Sequence, residues 1–237
     1  MAPVSGGTTV DRHAAAPVDR VGGSLVDLAV IAILGAVFVV AGVLDSDSPL
    51  WFDETRRLVR RGGSIGRPED GSPDDICRTL KRMPDADRLK ALELLRRSVS
   101  GASVRTPQLA SDELPALESM GIAIGNHTLT HPCLSRCSPS KVSSEIAHAH
   151  RRLETALGHP PTAFAYPDGD HDARASSALR GLGYRGAFLF DHRWVSPPVS
   201  DPFRISRTRV DARTTLDRFR LILSGIHPAL HHARGRA

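Results

Sequence analysis

Cysteine is scarce. The 237 residues hold only Cys77, Cys133 and Cys137, an odd number too small for a disulfide framework and suited to a reducing compartment. Aromatic residues are 5% of the chain, and no basic run is interleaved with them. The formal charge of +5 and the pI near 9.6 come from arginines scattered along the whole length. The stripe of cations and the stacking ladder that bind nucleic acid are therefore both missing, and no nucleic-acid partner is expected. No internal repeat is visible, and no basic region with a small-residue cleavage site marks a signal peptide. What the chain does have is 41% hydrophobic residues, enough for a real core at this length.

One apolar run stands out, LAVIAILGAVFVVAGVL at residues 28–44. Seventeen apolar or glycine residues in a row are nearly long enough to cross a bilayer. Gly35 interrupts the run, however, and Asp27 and Asp45 flank it. Ser24 to Leu34 spaces its apolar residues as a buried helix does, whereas residues 36–42 are β-branched and aromatic like a buried strand. A helix, a glycine stop and a strand is the reading adopted, with a membrane span over 28–44 as the rival and a cytoplasmic location favoured.

Residues 1–17, rich in Ala, Pro, Gly and Thr, read as an irregular lead-in. Residues 50–100 read as a helical insertion. LWFDETRRLVRR forms one helix with Trp51, Leu58 and Val59 inward. Ser72 as N-cap, Pro73 in the first turn and Asp75 where the dipole favours an acidic side chain start a second, with Ile76, Leu80 and Met83 on one face. Pro84 ends that helix, and Asp85 caps a third with Leu89, Leu92 and Leu95 at helical spacing. From residue 107 the chain alternates as strand and helix, which predicts an α/β fold with a parallel sheet. The helices fall at 110–119, 139–157, 173–182 and 215–223. The strands are GIAIG (121–125), TAFAYP (162–167), GAFLF (186–190) and FRISRTRV (203–210). Ser138 and Gly158 bound the longest helix.

The chemistry concentrates in GNHTLTHPCLSRC, where His127 and His131 follow the carboxyl end of a strand, the place where α/β folds build sites. On a helical turn, i and i+4 share a face, so both imidazoles reach one ion. Two polar residues decorating a loop is the plainer account of the motif alone. Cys133 and Cys137 crowd the same turn rather than coming from a separate knuckle, and read as small buried hydrophobes instead of further ligands. YPDG at 166–169 is by itself an ordinary turn.

Taken together, the H-T-x-T-H block at 127–131 and the F-A-Y-P-x-G block at 164–169, in this order and spacing, resemble the polysaccharide deacetylase family, the NodB-homology or family-four carbohydrate esterases. The resemblance extends loosely over residues 36–224, through AVFVVAG, LWFDE and DPFRISR. It implies an irregular (β/α) barrel with one divalent metal, usually zinc, held by two histidines and an aspartate. It also implies an activity that removes acetyl groups from carbohydrate. The histidines map to His127 and His131. Tyr166 maps to the residue whose backbone N–H serves the oxyanion, with Pro167 and Gly169 shaping that substrate-binding loop.

The chain departs from the family at the first block, T-F-D-D-G, which supplies the catalytic base and the third ligand. The equivalent segment is VDRVGG, residues 18–23, with Asp19 at the base position and Arg20 on the metal-binding aspartate. A guanidinium cannot ligate a cation. The N-terminal strand of the barrel is accordingly expected to be incomplete, and activity is in question. Asp168, Asp170 and His171, or Asp45 and Asp47, are the carboxylates and imidazole that stand nearest as substitutes. The terminal histidine of the family has no clear counterpart among His227, His231 and His232, which read with residues 225–237 as a basic tail. Asp191, His192 and Trp194 form a polar cluster after a strand, with no assigned chemistry. The expected domain runs from 18 to 224. Its function is read as a metal-dependent deacetylase, against an inactive relative that binds glycan or protein and a membrane-anchored protein.

Overall fold

The predicted strand after Gly35 forms. In the computed structural model, which describes residues 35–66, 71–101, 104–193 and 199–224, the second half of the run becomes strand β1, Gly35–Val39, and then a tight 3-10 turn at Ala41–Val43. β1 pairs in parallel with β2, Ile122–Asn126, from Gly35 opposite Ile122 to Val39 opposite Asn126. Among the described residues no helix is long and apolar enough to cross a membrane. Asp19, Arg20, the helix expected at 24–34, Trp194 and the tail with His227, His231 and His232 lie outside the described residues.

β3, Ala163–Ala165, follows β2, and β4, Gly186–Phe188, follows β3, every neighbour parallel. The order β1-β2-β3-β4 matches the order along the chain. A doubly wound sheet reverses its order at a switch point; this one keeps adding strands on the same side, the winding of a (β/α) barrel wall. The α/β expectation holds. FRISRTRV is shorter than predicted, a single bridge from Ile205 to Phe188. Ile205 donates to Ala187 and accepts from Leu189, but the next ladder acceptor, the Leu189 carbonyl, is taken by the Arg207 Nε side chain at 2.7 Å. The regular ladder ends there, although the His192 N–H still donates to the Arg207 carbonyl at 3.0 Å.

The insertion is helical throughout: α1 Trp51–Arg60, α2 Pro73–Arg82 and α3 Asp85–Arg97. The capping box forms, with Ser72 Oγ accepting from the Asp75 N–H and Asp75 accepting from the Ser72 N–H. Two expectations fail. Pro84, not Asp85, occupies the N-cap of α3, and Leu89 is 48% exposed. The inward face is Asp85, Arg88, Ala91, Leu92 and Leu95. Arg88 is buried because Asp85 bonds its guanidinium and the Trp51 ring lies under it at 4.8 Å, so the charge is both paired and stacked.

α4, Glu113–Ser119, precedes β2, and α5, Pro139–Leu157, joins β2 to β3. α5 has the predicted bounds: Ser138 caps its first turn and Gly158 leaves it at φ +78°, a conformation that suits glycine. α6, Ala173–Gly181, and α7, Leu216–Leu223, complete the described elements. Three apolar clusters result. One lies mainly in the insertion around Leu58, Leu80 and Leu95 and takes in Val40 and Val104; one packs β3 and β4 against α5 and α6 around Phe164, Tyr166 and Tyr184; one packs β1 and β2 against α4 and α5 around Ile124 and Leu153.

Candidate active site

β2 ends at Asn126, and His127 is the next residue. Its N–H continues the ladder by donating to Val39 at 2.9 Å, and its ring Nδ1 lies 2.7 Å from the Ala165 carbonyl of β3. A carbonyl oxygen only accepts, so Nδ1 is the donor in this bond. Ligating imidazoles are oriented in this way by their second nitrogen.

His131 arrives by a different route from the one the spacing predicts. Residues 127–131 form a bend rather than a helical turn, with Thr128 at φ +69° and His131 at φ +58°. The two rings still meet, edge to face at 4.7 Å between centroids, and both residues are buried. The reason is a set of local bonds that outcompete helix formation. The Asn126 side-chain oxygen takes the Thr128 N–H at 2.7 Å, and the Thr128 hydroxyl takes the His131 N–H at 3.0 Å. The 3-10 turn after β1 donates from Ala41 to Thr128 O and from Gly42 to Leu129 O, at 3.0 and 2.8 Å. A Cβ on Gly42 would sit 2.2 Å from that Leu129 oxygen, so only glycine permits this approach. From the insertion, Trp51 Nε1 donates to the His131 carbonyl at 2.8 Å, and the Phe52 ring meets the His131 ring at 5.0 Å.

Glu145 supports the turn from below. It is fully buried on α5 and accepts from Leu129 N (3.0 Å), Thr130 N (2.8 Å) and Thr130 Oγ1 (2.7 Å), while Lys141 Nζ sits at 2.8 Å. A charged residue on the apolar stripe of Val142, Ile146, Ala149 and Leu153 was the signal available in the sequence, and sequence reasoning passed over it.

An open cleft of about 530 Å³ is lined by both histidines together with Phe52, Arg56, Lys81, Tyr166, Asp168, Gly169, Phe190 and Arg207. Of the proposed substitutes, Asp168 alone reaches this cleft, at φ +54°, where it bonds Lys81 of α2. Asp170 accepts from Ser135 N at 2.8 Å, and His171 bonds Ser176 at 3.1 Å with its pKa lowered by burial. Asp45 and Asp47 line a separate depression with Pro107 and Gln108. Asp191 accepts from Ser206, and His192 Nδ1 from the Arg209 N–H. No third histidine, cysteine or carboxylate joins the pair among the described residues. The three cysteines are free; burial, its largest cause, pushes the Cys133 and Cys137 thiols up to about 12.

In the second block, Tyr166 is fully buried, its hydroxyl bonded to Ser176 and to the Phe203 carbonyl. Its backbone N–H, which the resemblance gives to the oxyanion, donates here to Phe188 O at 3.0 Å. Gly169 turns the chain at φ +72°, and a Cβ there would lie 2.4 Å from the Phe190 nitrogen.

A histidine pair at a strand's carboxyl end, followed at the next strand by a tyrosine-proline turn, is what the family shares, and the resemblance read from the two blocks holds. Residues 97–187 match the family described as Polysaccharide deacetylase. The chitooligosaccharide deacetylase of Bradyrhizobium sp. (strain ANU 289) is 35% identical over 82 residues, which cover 33% of this chain and 37% of that protein. The chain thus spans well under half the length of this relative. The Streptococcus pyogenes deacetylase PplD, solved in complex with acetate, is 17% identical over 74% of this chain and 85% of its own, with a TM-score of 0.44. A de-N-acetylase from Aggregatibacter actinomycetemcomitans is 14% identical over 52% and 58%, with a TM-score of 0.43. At these scores neither structure bears on the site.

Proposed function

We propose that the chain is a metal-dependent hydrolase that removes acetyl groups from carbohydrate. The observation that carries the reading is the meeting of the two buried imidazoles at the carboxyl end of β2, edge to face at 4.7 Å, with His127 held by its Nδ1 on Ala165 O. These two residues fit a divalent ion, with zinc the natural occupant for imidazole donors. The third ligand is assigned to a carboxylate outside the pair, and Asp19, in the segment preceding β1, is assigned as base. Domain 18–224, with the insertion at 50–100, is the proposed unit.

When bound, the ion supplies Lewis acidity to an acetyl carbonyl and to water. The chain's own residues supply the rest. The base carboxylate takes a proton from water as its oxygen attacks the carbonyl carbon, and returns it to the leaving nitrogen or oxygen as the bond to the acetyl group breaks. Acetate and a free amine or hydroxyl result. Tyr166 and Gly169 line one wall of the cleft, with Pro167 shaping the turn between them, and Lys81, Arg56 and Arg207 bring positive charge to the cleft for the developing oxyanion.

A second reading, an inactive relative that binds glycan or protein, is favoured by Arg20 at the position of the metal-binding aspartate. Acetate release from an acetylated chito-oligosaccharide, measured with the metal content, separates the two. The hydrolase reading expects release that a chelator stops and zinc restores. Folded protein that binds no divalent ion and frees no acetate overturns it and supports the binder.

A further inference from the structure

We propose that Glu145 is the positioning residue that sets the separation of the two imidazoles; the inference rests on the reading of His127 and His131 as ligands of one ion. A carboxylate buried on an apolar helix face is unfavourable unless its charge is paired and its lone pairs are used. Glu145 meets both conditions, and it does so almost entirely on the histidine turn. Two of its bonds go to backbone N–H groups, Leu129 and Thr130, which lie between the histidines, and a third goes to the Thr130 hydroxyl. Lys141, one helical turn earlier, balances the charge at 2.8 Å.

The turn needs such an anchor. Thr128 and His131 both have left-handed φ, and a non-glycine residue stays there only when its surroundings over-determine it. Asn126 and Thr128 fix the first strained residue and the amide of the second. Glu145 fixes what lies between them. Released from Glu145, residues 128–131 can relax toward ordinary backbone angles, and the His131 ring then leaves its edge-to-face contact with His127. α5 is thus more than a crossover from β2 to β3: one of its inward positions holds the ligand spacing.

The test is a cobalt(II) titration of metal-free protein, read by visible absorption and by competition with a chelator, alongside thermal unfolding of the metal-free chain. Glu145→Gln is close in shape, keeps one acceptor and loses the charge. It is expected to lower cobalt affinity by about 10- to 100-fold and to alter the visible bands. Lys141→Met leaves the carboxylate in place without its counter-charge and is expected to show a smaller shift in the same direction. It decides the matter if Glu145→Gln does not fold. Unchanged affinity and bands in a folded variant overturn the proposal and leave Glu145 with a packing role only, visible as lower thermal stability alone. Failure of the unmutated chain to bind cobalt, or binding that survives His127→Ala, contradicts the metal reading itself and takes this inference with it.

Discussion

The two histidines are held by different parts of the molecule. His127 is gripped by the sheet, its amide and ring both bonded to backbone carbonyls of neighbouring strands, Val39 and Ala165. His131 is gripped by side chains and by the insertion: the Thr128 hydroxyl, the Trp51 indole and the Phe52 ring. Backbone ladders fix a position with little dependence on side-chain identity, whereas side-chain anchors fail one substitution at a time. The difference indicates that the insertion, which has an apolar core of its own, forms one wall of the site and fixes its more vulnerable half.

The comparison breaks most completely if either ring is removed. His127→Ala and His131→Ala are each expected to abolish divalent-ion binding and reduce acetate release to background, measured by metal analysis and an acetate assay. Next is Trp51→Phe, which keeps most of the buried volume and deletes the indole donor to His131. A buried carbonyl left without its donor costs about 1–3 kcal/mol, which urea unfolding measures. Ala165 has no side-chain counterpart to this substitution, since its contribution to His127 is a main-chain carbonyl.

The helix caps sharpen the contrast at a smaller scale. Ser72→Ala and Ser138→Ala each remove a hydroxyl that accepts a first-turn N–H, on α2 and α5 respectively, and each is expected to cost about 1 kcal/mol in denaturant unfolding. Metal affinity should fall only for Ser138→Ala, because α5 carries Glu145. The smallest effect on stability is expected of Lys81→Ala, which deletes the Lys81 bond to Asp168 across the mouth of the cleft. Both side chains are about one-third exposed, so stability should change by no more than about 1 kcal/mol.

Much of this frame was legible beforehand. Ser138, Pro139 and Gly158 fixed α5 to the residue because caps and breakers act locally, and Ser72 with Pro73 did the same for the start of α2. β-branched residues after Gly35 were enough to place β1. Less visible were features decided by partners distant in sequence. His127 and His131 were paired correctly on a wrong premise: the turn is bent, with two left-handed residues, because Asn126, Thr128 and Glu145 offer it better hydrogen bonds than a helix would. Leu89 looked inward by spacing, yet Arg88 took the buried position once Trp51 and Asp85 could stack and pair with it. FRISRTRV had strand composition but keeps a single bridge, with the Arg207 side chain bonded to the Leu189 carbonyl. At the histidine turn and at Arg207 a side chain bonded to the backbone overrode a pattern that was correct on local grounds, and at Leu89 a buried ion pair did so.

Zinc-edge X-ray absorption on the zinc-loaded full chain addresses the central claim, that the paired imidazoles hold one ion and the nearby thiols do not. The account predicts a shell of nitrogen and oxygen at about 2.0–2.1 Å, with the outer scattering of two imidazoles that falls to one in His131→Ala. A sulfur shell at about 2.3 Å, or imidazole scattering unchanged by that substitution, would contradict it.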